Sequence, residues 1–392
     1  MKEVESTHAR RNPALTHLFG SFLRMGITAF GGPAMIAYIR KMAVGRKQWL
    51  DDESFRDGVA LCQTIPGATA MQMAAYVGLK ARGVRGAAAS YIGFGLPAFL
   101  LMLALSFAYA RTHELPAVIS VFSGLQAVIV AVVANATLTF GTTSLKNWKR
   151  MLIALAAAGL FGLMVNPVFI ILLAALLGML LNGRQPAGRS PSHSGTIGHT
   201  TIPLLLFFLF SAAGFALLFF SRKELFHLAV LMSRIDLIAF GGGFASIPIM
   251  FHEIVEIRSW MTGPTFLNGI ILGQFTPGPI VITATFVGYM VNGIPGAMIA
   301  TIAMFLPSFL MLVGIAPWFD RVRTSPWFVR VISGILCSFV GLLLTVTVRF
   351  GLQVHWDWPH VALAAATFVA LVCKLDILWV VLAGTTISVF VF

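Results

Sequence analysis

Along the first half of the chain, apolar stretches at roughly 14–44, 55–79, 86–110, 117–142, 151–165 and 168–181 alternate with short polar turns. A segment rich in Gly, Ser, Pro and His follows at 182–201, then an extra apolar stretch at about 202–220. The pattern resumes at about 227–251, 264–290, 295–317, 327–351, 360–373 and 375–392. Stretches of ~20 or more apolar residues predict helices that enter or cross a bilayer. The last pair in each half is shorter, and predicts either tilted crossings or helical hairpins. The strict alternation of a membrane β-barrel is absent. The expected organisation is a first repeat at 14–181, a flexible linker at 182–201, an extra transmembrane helix at 202–220 and a second repeat at 227–392.

The halves also repeat each other residue by residue. Phe30-Gly31-Gly32 returns as Phe240-Gly241-Gly242, and Trp49 with Gln63-x-x-Pro66-Gly67 returns as Trp260 with Gln274-x-x-Pro277-Gly278. Leu96-Pro97 returns as Leu306-Pro307, and Ser123-Gly124 as Ser333-Gly334. The register, 210 residues from Phe30 to Phe240 and 211 from Gly67 to Gly278, holds over most of each half. A duplicated apolar chain of this kind marks a secondary transporter built from two structural repeats.

Composition supports a membrane setting, with 58% hydrophobic and only 10% charged residues. The net charge of +13 does not point to nucleic acid, because no soluble segment is long enough for a binding domain. The polar stretch Met1–Pro13 carries no apolar region with a cleavage site, so no removable signal peptide is expected. Cys62, Cys337 and Cys373 lie in apolar segments without metal-type spacing, and are read as buried free thiols. No metal or cofactor site is expected.

Where the basic residues fall gives the orientation. Lys80, Arg82 and Arg85 have no basic counterparts in Val291–Gly296, whereas the lone Arg111 corresponds to a loop holding Arg321, Arg323 and Arg330. Lys146, Lys149 and Arg150 correspond to Gly351–His360, which holds none. Lys and Arg favour the cytoplasmic face, so matched loops lie on opposite faces and the repeats are inverted. The segment at 202–220 supplies the odd crossing that inversion needs. Arg40, Lys41, Arg46, Lys47 and Arg56 fit this scheme if the first two segments of each half are re-entrant; single crossings would place them outside. The fold class is therefore an all-α polytopic membrane protein of two inverted-topology repeats with broken or re-entrant helices.

The candidate chemistry sits at the breaks. Asp51 and Thr262 fit as N-caps of helices that reach Gln63 and Gln274 after ~18 Å, then meet Pro66-Gly67 and Pro277-Gly278. Proline and glycine free backbone groups there, and a helix resuming after a break points its amide-rich end at it, as anion sites require. The same holds at Gly31-Gly32 and Gly241-Gly242. The alternative at each break is close helix packing through small residues. Arg24 and Arg234, each six residues before a Phe-Gly-Gly, offer guanidinium groups to an oxyanion, unless they snorkel to headgroups. Gln63 and Gln274 offer amide donors or helix-to-helix hydrogen bonds. Asp236 is read chiefly as an ion-pair partner for Arg234 and secondarily as a proton carrier. His252, Glu253 and Glu256 are read as a solvated helix face. No phosphate loop or catalytic constellation is present, so neither ATP drive nor an enzyme is expected.

At Phe30-Gly31-Gly32-Pro33, Phe240-Gly241-Gly242-Gly243, Gln63-x-x-Pro66-Gly67 and Gln274-x-x-Pro277-Gly278-Pro279 the chain resembles the long, two-domain members of the chromate ion transporter superfamily. The resemblance covers nearly the whole chain. It implies an inner-membrane carrier that exports chromate, a sulfate-like dianion, and confers resistance. The partners it implies are the anion and the lipid bilayer, with a homodimer left open. Ala68 stands where the second half has Pro279, and Gly243 where the first has Pro33, so the halves are expected to contribute unequally.

Overall fold

The computed structural model describes residues 13–30, 32–181, 201–319 and 325–392. Gly31, Arg321, Arg323 and nearly all of the 182–201 linker lie outside them. The first half holds α1 (Leu15–Thr28), α2 (Gly32–Arg40), α3 (Asp52–Thr64), α4 (Thr69–Thr112), α5 (Pro116–Ser144), α6 (Trp148–Gly162) and α7 (Pro167–Leu181). After α8 (Thr201–Ser221), the second half repeats the order. It runs through α9 (Lys223–Ile238), α10 (Gly243–Phe251), α11 (Gly263–Phe275), α12 (Thr283–Ile315), α13 (Pro326–Gln353), α14 (Trp358–Val372) and α15 (Ile377–Val391). The duplication reaches local geometry. A π-helical turn follows α2 at Lys41–Arg46 and α10 at His252–Ile257. Asp51 accepts the Ser54 N–H at the start of α3, and Thr262 accepts the Thr265 N–H at the start of α11, as the capping pattern predicts.

The broken segments double back. Lys47 Nζ lies 3.1 Å from His17 Nε2, and the Trp49 ring lies 6.4 Å from that of Phe22, so the chain after α2 returns to the face where α1 began. The next pair does the same: Gly58 packs against the Tyr76 ring across the Pro66-Gly67 break, and Gly269 against Phe286 across its equivalent. Helix α4 is itself two helices, joined at a non-helical Arg82-Gly83. Ser90 Oγ donates to Ala74 O at 2.7 Å, fixing its arms as an antiparallel hairpin. The arm at 84–112 then crosses, and α5, 29 residues or ~44 Å long, crosses back. Helices α6 and α7, of 15 residues each, form a closed hairpin in which Lys149 Nζ donates to Leu181 O at 3.3 Å. At ~22 Å each is too short to cross the ~30 Å core untilted.

Inversion follows from how α5 meets α13. Thr137 and Thr347, equivalent residues, face each other at 3.2 Å between hydroxyls. Toward the end of α5, a Cβ on Gly141 would stand 3.7 Å from Val340, and Cys337 Sγ lies 3.9 Å from Ser144 O. Advancing along α5 means retreating along α13, so these equivalent membrane helices are antiparallel. The two-fold axis relating the repeats passes between Thr137 and Thr347, perpendicular to the helices and hence in the membrane plane. Packing obeys it: Gly178 seats on Gly334, and their equivalents Ser388 and Gly124 seat on each other. Helix α8 lies at the periphery, with Phe210 80% and Phe220 84% exposed, as suits a lipid-facing crossing.

These paths gather the first-half cations on one face. Arg82 Nη1 donates to Pro13 O at 3.0 Å, and the returning α1–α2 hairpin carries Arg40, Lys41, Arg46 and Lys47 to the same side. Lys146 and Arg150 meet the start of α13 there, and the positive charge marks this face as cytoplasmic. On the other face Asn292, equivalent to Arg82, donates to Glu224 at 3.3 Å. The cysteines depart from expectation at one position. Cys62 and Cys337 are buried free thiols, but Cys373 is exposed because it ends α14 at the turn into α15.

Candidate functional site

The four breaks meet. Gly67 N–H donates to Ala239 O at 2.9 Å, and its equivalent Gly278 N–H donates to Ala29 O at 3.2 Å. Each Pro-Gly break of one repeat is thus tied to the Phe-Gly-Gly break of the other, and the tie is reciprocal. Ala29, Ile65 and Thr276 are extended and buried, so their surroundings must satisfy the backbone groups the helices release. The Gly67 and Gly278 amides are therefore committed to protein carbonyls.

Helix ends point at the junction. A Cβ placed on Gly242 would stand 3.3 Å from Thr69 Oγ1, and one on Gly243 would stand 3.1 Å from Ile280 Cγ2. The amide ends of α4, of α10 and of the Ile280–Ile282 turn that opens α12 lie side by side. Each carries about half a positive charge, and together they make an electropositive focus inside the membrane. Pro66 and Pro277 are buried within it. Gln274 brings a buried Nε2 with no hydrogen-bond partner, while Gln63 is exposed. Gln72 has no repeat counterpart to signal it; its Nε2 donates to Pro66 O and its Oε1 is unpartnered.

Asp236 stands beside this junction and not on Arg234. It is 1% exposed and accepts the Ser308 N–H at 2.7 Å. The cause is Pro307, which lacks an N–H and opens the ladder of α12. The carbonyl released at Ala303 takes the Ser233 hydroxyl at 3.0 Å, so Ser233 and Asp236 together satisfy the kink. Ser308 in turn packs against Gly67. Tyr91, from the first repeat, donates to Phe305 O at 2.7 Å and lies 3.4 Å from Ser308 Oγ. In the first repeat Gly26 replaces Asp236 and packs directly on Phe94 and Pro97.

The two arginines part company. Arg234 lies 3.5 Å from Glu253 and 3.3 Å from Asn166 Oδ1, and Glu253 also pairs with Arg258. Glu256 pairs with Arg349 and lies 2.8 Å from His252. His252 and Glu253 are buried, so the solvated face expected for them is replaced by an internal charge network. Arg349 ties that network to the α6–α7 turn through Phe161 O at 2.6 Å. In the first repeat Ala43 stands where Glu253 does, and Arg24 is exposed with no charged partner among the described residues.

Comparison with known proteins agrees with this architecture. The family described as "Chromate transporter" matches residues 16–179 and again 226–389. An uncharacterised transporter of Methanocaldococcus jannaschii is 42% identical over 97% of this chain and 95% of its own length. A chromate transport protein of Cupriavidus metallidurans is 30% identical over 94% of this chain and 90% of its own. A probable chromate transport protein of Synechococcus elongatus is 29% identical over 92% and 90%. No solved structure matches the chain.

Proposed function

Because the chain belongs to the chromate transporter family, we propose that it is a secondary active transporter that exports chromate across the inner membrane and thereby confers resistance. The observation that carries this reading is the reciprocal pair of hydrogen bonds joining the breaks, Gly67 to Ala239 and Gly278 to Ala29. They hold four interrupted segments at the repeat interface, where transporters of this architecture bind their substrates. A tetrahedral dianion suits the converging helix ends, and Gln274 supplies a spare donor. The proposed substrate contacts are Gly31, Gly32, Gly241 and Gly242, with Pro66, Pro277, Gln63 and Gln274 beside them, while Gly67 and Gly278, whose amides are committed to Ala239 and Ala29, hold the junction in place. Arg24, exposed and with no charged partner among the described residues, brings a positive charge to the first repeat. Arg234 acts through its ion pair, holding the second repeat together.

Asp236 is the proposed proton carrier, since it is a buried carboxylate one residue from Pro307 in space and adjacent, through Ser308, to the Gly67 break. Purified protein in proteoliposomes with an imposed pH gradient tests the reading. Chromate flux above protein-free vesicles, with sulfate competing for the same site, is expected. Vesicles that move neither anion under any gradient contradict it. Flux of sulfate with chromate neither carried nor competing would assign the chain to a sulfate carrier instead.

A further inference from the structure

At the cytoplasmic ends of α5 and α13 lies a cavity of about 260 Å³ whose polar lining is Thr64, Thr143, Ser144, Lys146, Arg150 and Ser333. That volume far exceeds the roughly 30 Å³ share of one water, so an anion can enter with part of its hydration shell. Among the described residues of the lining none is acidic. Two cations with the Ser144 and Ser333 hydroxyls favour a ligand that accepts hydrogen bonds and carries more than one negative charge, while Thr64 and Thr143 donate their protons to Leu61 O and Phe140 O. Arg150 has Nη1 3.4 Å from Ser144 O, and its Nε is buried without a partner. A buried guanidinium N–H of this kind is a donor awaiting an acceptor.

The inner wall of the cavity adjoins the junction of breaks. Thr64 ends α3 two residues before Pro66. On the opposite wall, Leu336 stands 3.5 Å from where a Cβ on Gly241 would be. The outer end holds Lys146, which is exposed.

At the equivalent positions on the other face the side chains close on one another. His360, in the place of Arg150, is buried, lies 3.0 Å from Ser123 Oγ and has its ring 4.1 Å from that of Phe392. Gln126, in the place of Leu336, donates to Asn268 at 2.9 Å, and Asn268 donates to Tyr109 at 3.0 Å. Two inverted repeats, open on one face and closed on the other, are the arrangement that alternating access requires.

We propose that this basic cavity is the cytoplasmic loading site for the tetrahedral oxyanion, with Lys146 and Arg150 as its specificity-determining cations. The proposal rests on the reading of the chain as an oxyanion carrier. The phosphate of an anionic lipid shares the same chemistry, but a lipid headgroup has no need of a path to the breaks, and a free dianion does.

The test compares wild type with Lys146→Gln and Arg150→Gln in phosphatidylcholine proteoliposomes, measuring the half-saturating chromate concentration. Equilibrium binding of radiolabelled chromate to the purified proteins is measured in parallel. Loss of one charge-assisted hydrogen bond is expected to raise both constants about tenfold. Arg150→Lys should recover part of the loss. Lys149→Gln, which removes the same charge outside the lining, should leave both constants unchanged. Should Arg150→Gln fail to fold, the exposed Lys146 decides. Unchanged constants in Lys146→Gln overturn the loading site while wild-type flux leaves the carrier reading standing. Unchanged constants together with loss of bound phosphatidylglycerol by mass spectrometry reassign the cavity to lipid. A wild type that binds and moves neither chromate nor sulfate overturns both readings.

Discussion

Gly67→Ala is expected to lower chromate flux about a hundredfold or more at matched protein levels. The backbone there has φ +109°, where an L side chain is strained by about 1–3 kcal/mol. A Cβ would also stand 2.8 Å from Ser308 Oγ and 2.9 Å from Gln72 Nε2, and nearer still to Ser308 Cβ. Overpacking of a filled interior adds about 1–3 kcal/mol. The strain falls on the hydrogen bond to Ala239 that joins the two repeats. Gly278→Ala should be milder, because φ is +123° but the single close neighbour, Ala98 Cβ, is 2.9 Å away. Gly293→Ala, at a turn with nothing within 4 Å but with φ +56° and ψ −146°, should carry the backbone strain alone, with no overpacking. Vesicle flux alongside thermal unfolding checks the order. Gly67→Ala transporting like wild type would show that the junction is not the path.

Asp236→Asn should separate binding from coupling. Asparagine still accepts the Ser308 N–H, so the kink at Pro307 stays satisfied and the protein should fold and exchange chromate for chromate at near wild-type rates. Acceleration by an imposed pH gradient should fall at least tenfold, because the amide cannot carry a proton. Asp236→Ala should instead lose stability by about 1–3 kcal/mol, since the buried Ser308 N–H is left without an acceptor. An asparagine variant driven by the pH gradient as strongly as wild type would remove Asp236 from the proton path.

Much of the fold was legible because glycine and proline punctuate helices wherever they occur, and here they do so twice in register. The capping of α3 and α11, the breaks and the inversion all rest on local backbone chemistry or on loop charge, both written along the chain. The pairing of Gly67 with Ala239 was not legible, because no side chain signals which carbonyl a freed amide will meet. Duplication also misled. Tyr91, Gln72 and Ser308 have Thr301, Thr283 and Ala98 as partners, so a search through matched positions passes over them. Glu253 and Glu256 read as solvated because their cations, Arg234, Arg258 and Arg349, are recognisable as partners only once α9, the turn after α10 and the end of α13 come together. Lys146 and Arg150 read as orientation signals alone, since a cavity between α3, α5 and α13 has no linear signature.

Inversion of the repeats underlies both the junction of breaks and the single open face, and labelling tests it most directly. Arg82→Cys and Asn292→Cys are placed separately in a chain with Cys373→Ser, and intact cells are treated with a membrane-impermeant thiol reagent. The equivalent positions lie on opposite faces, beside Pro13 and Glu224 respectively. Asn292→Cys should label from outside and Arg82→Cys only after the cells are opened. Labelling of both from the same side would contradict the inverted arrangement.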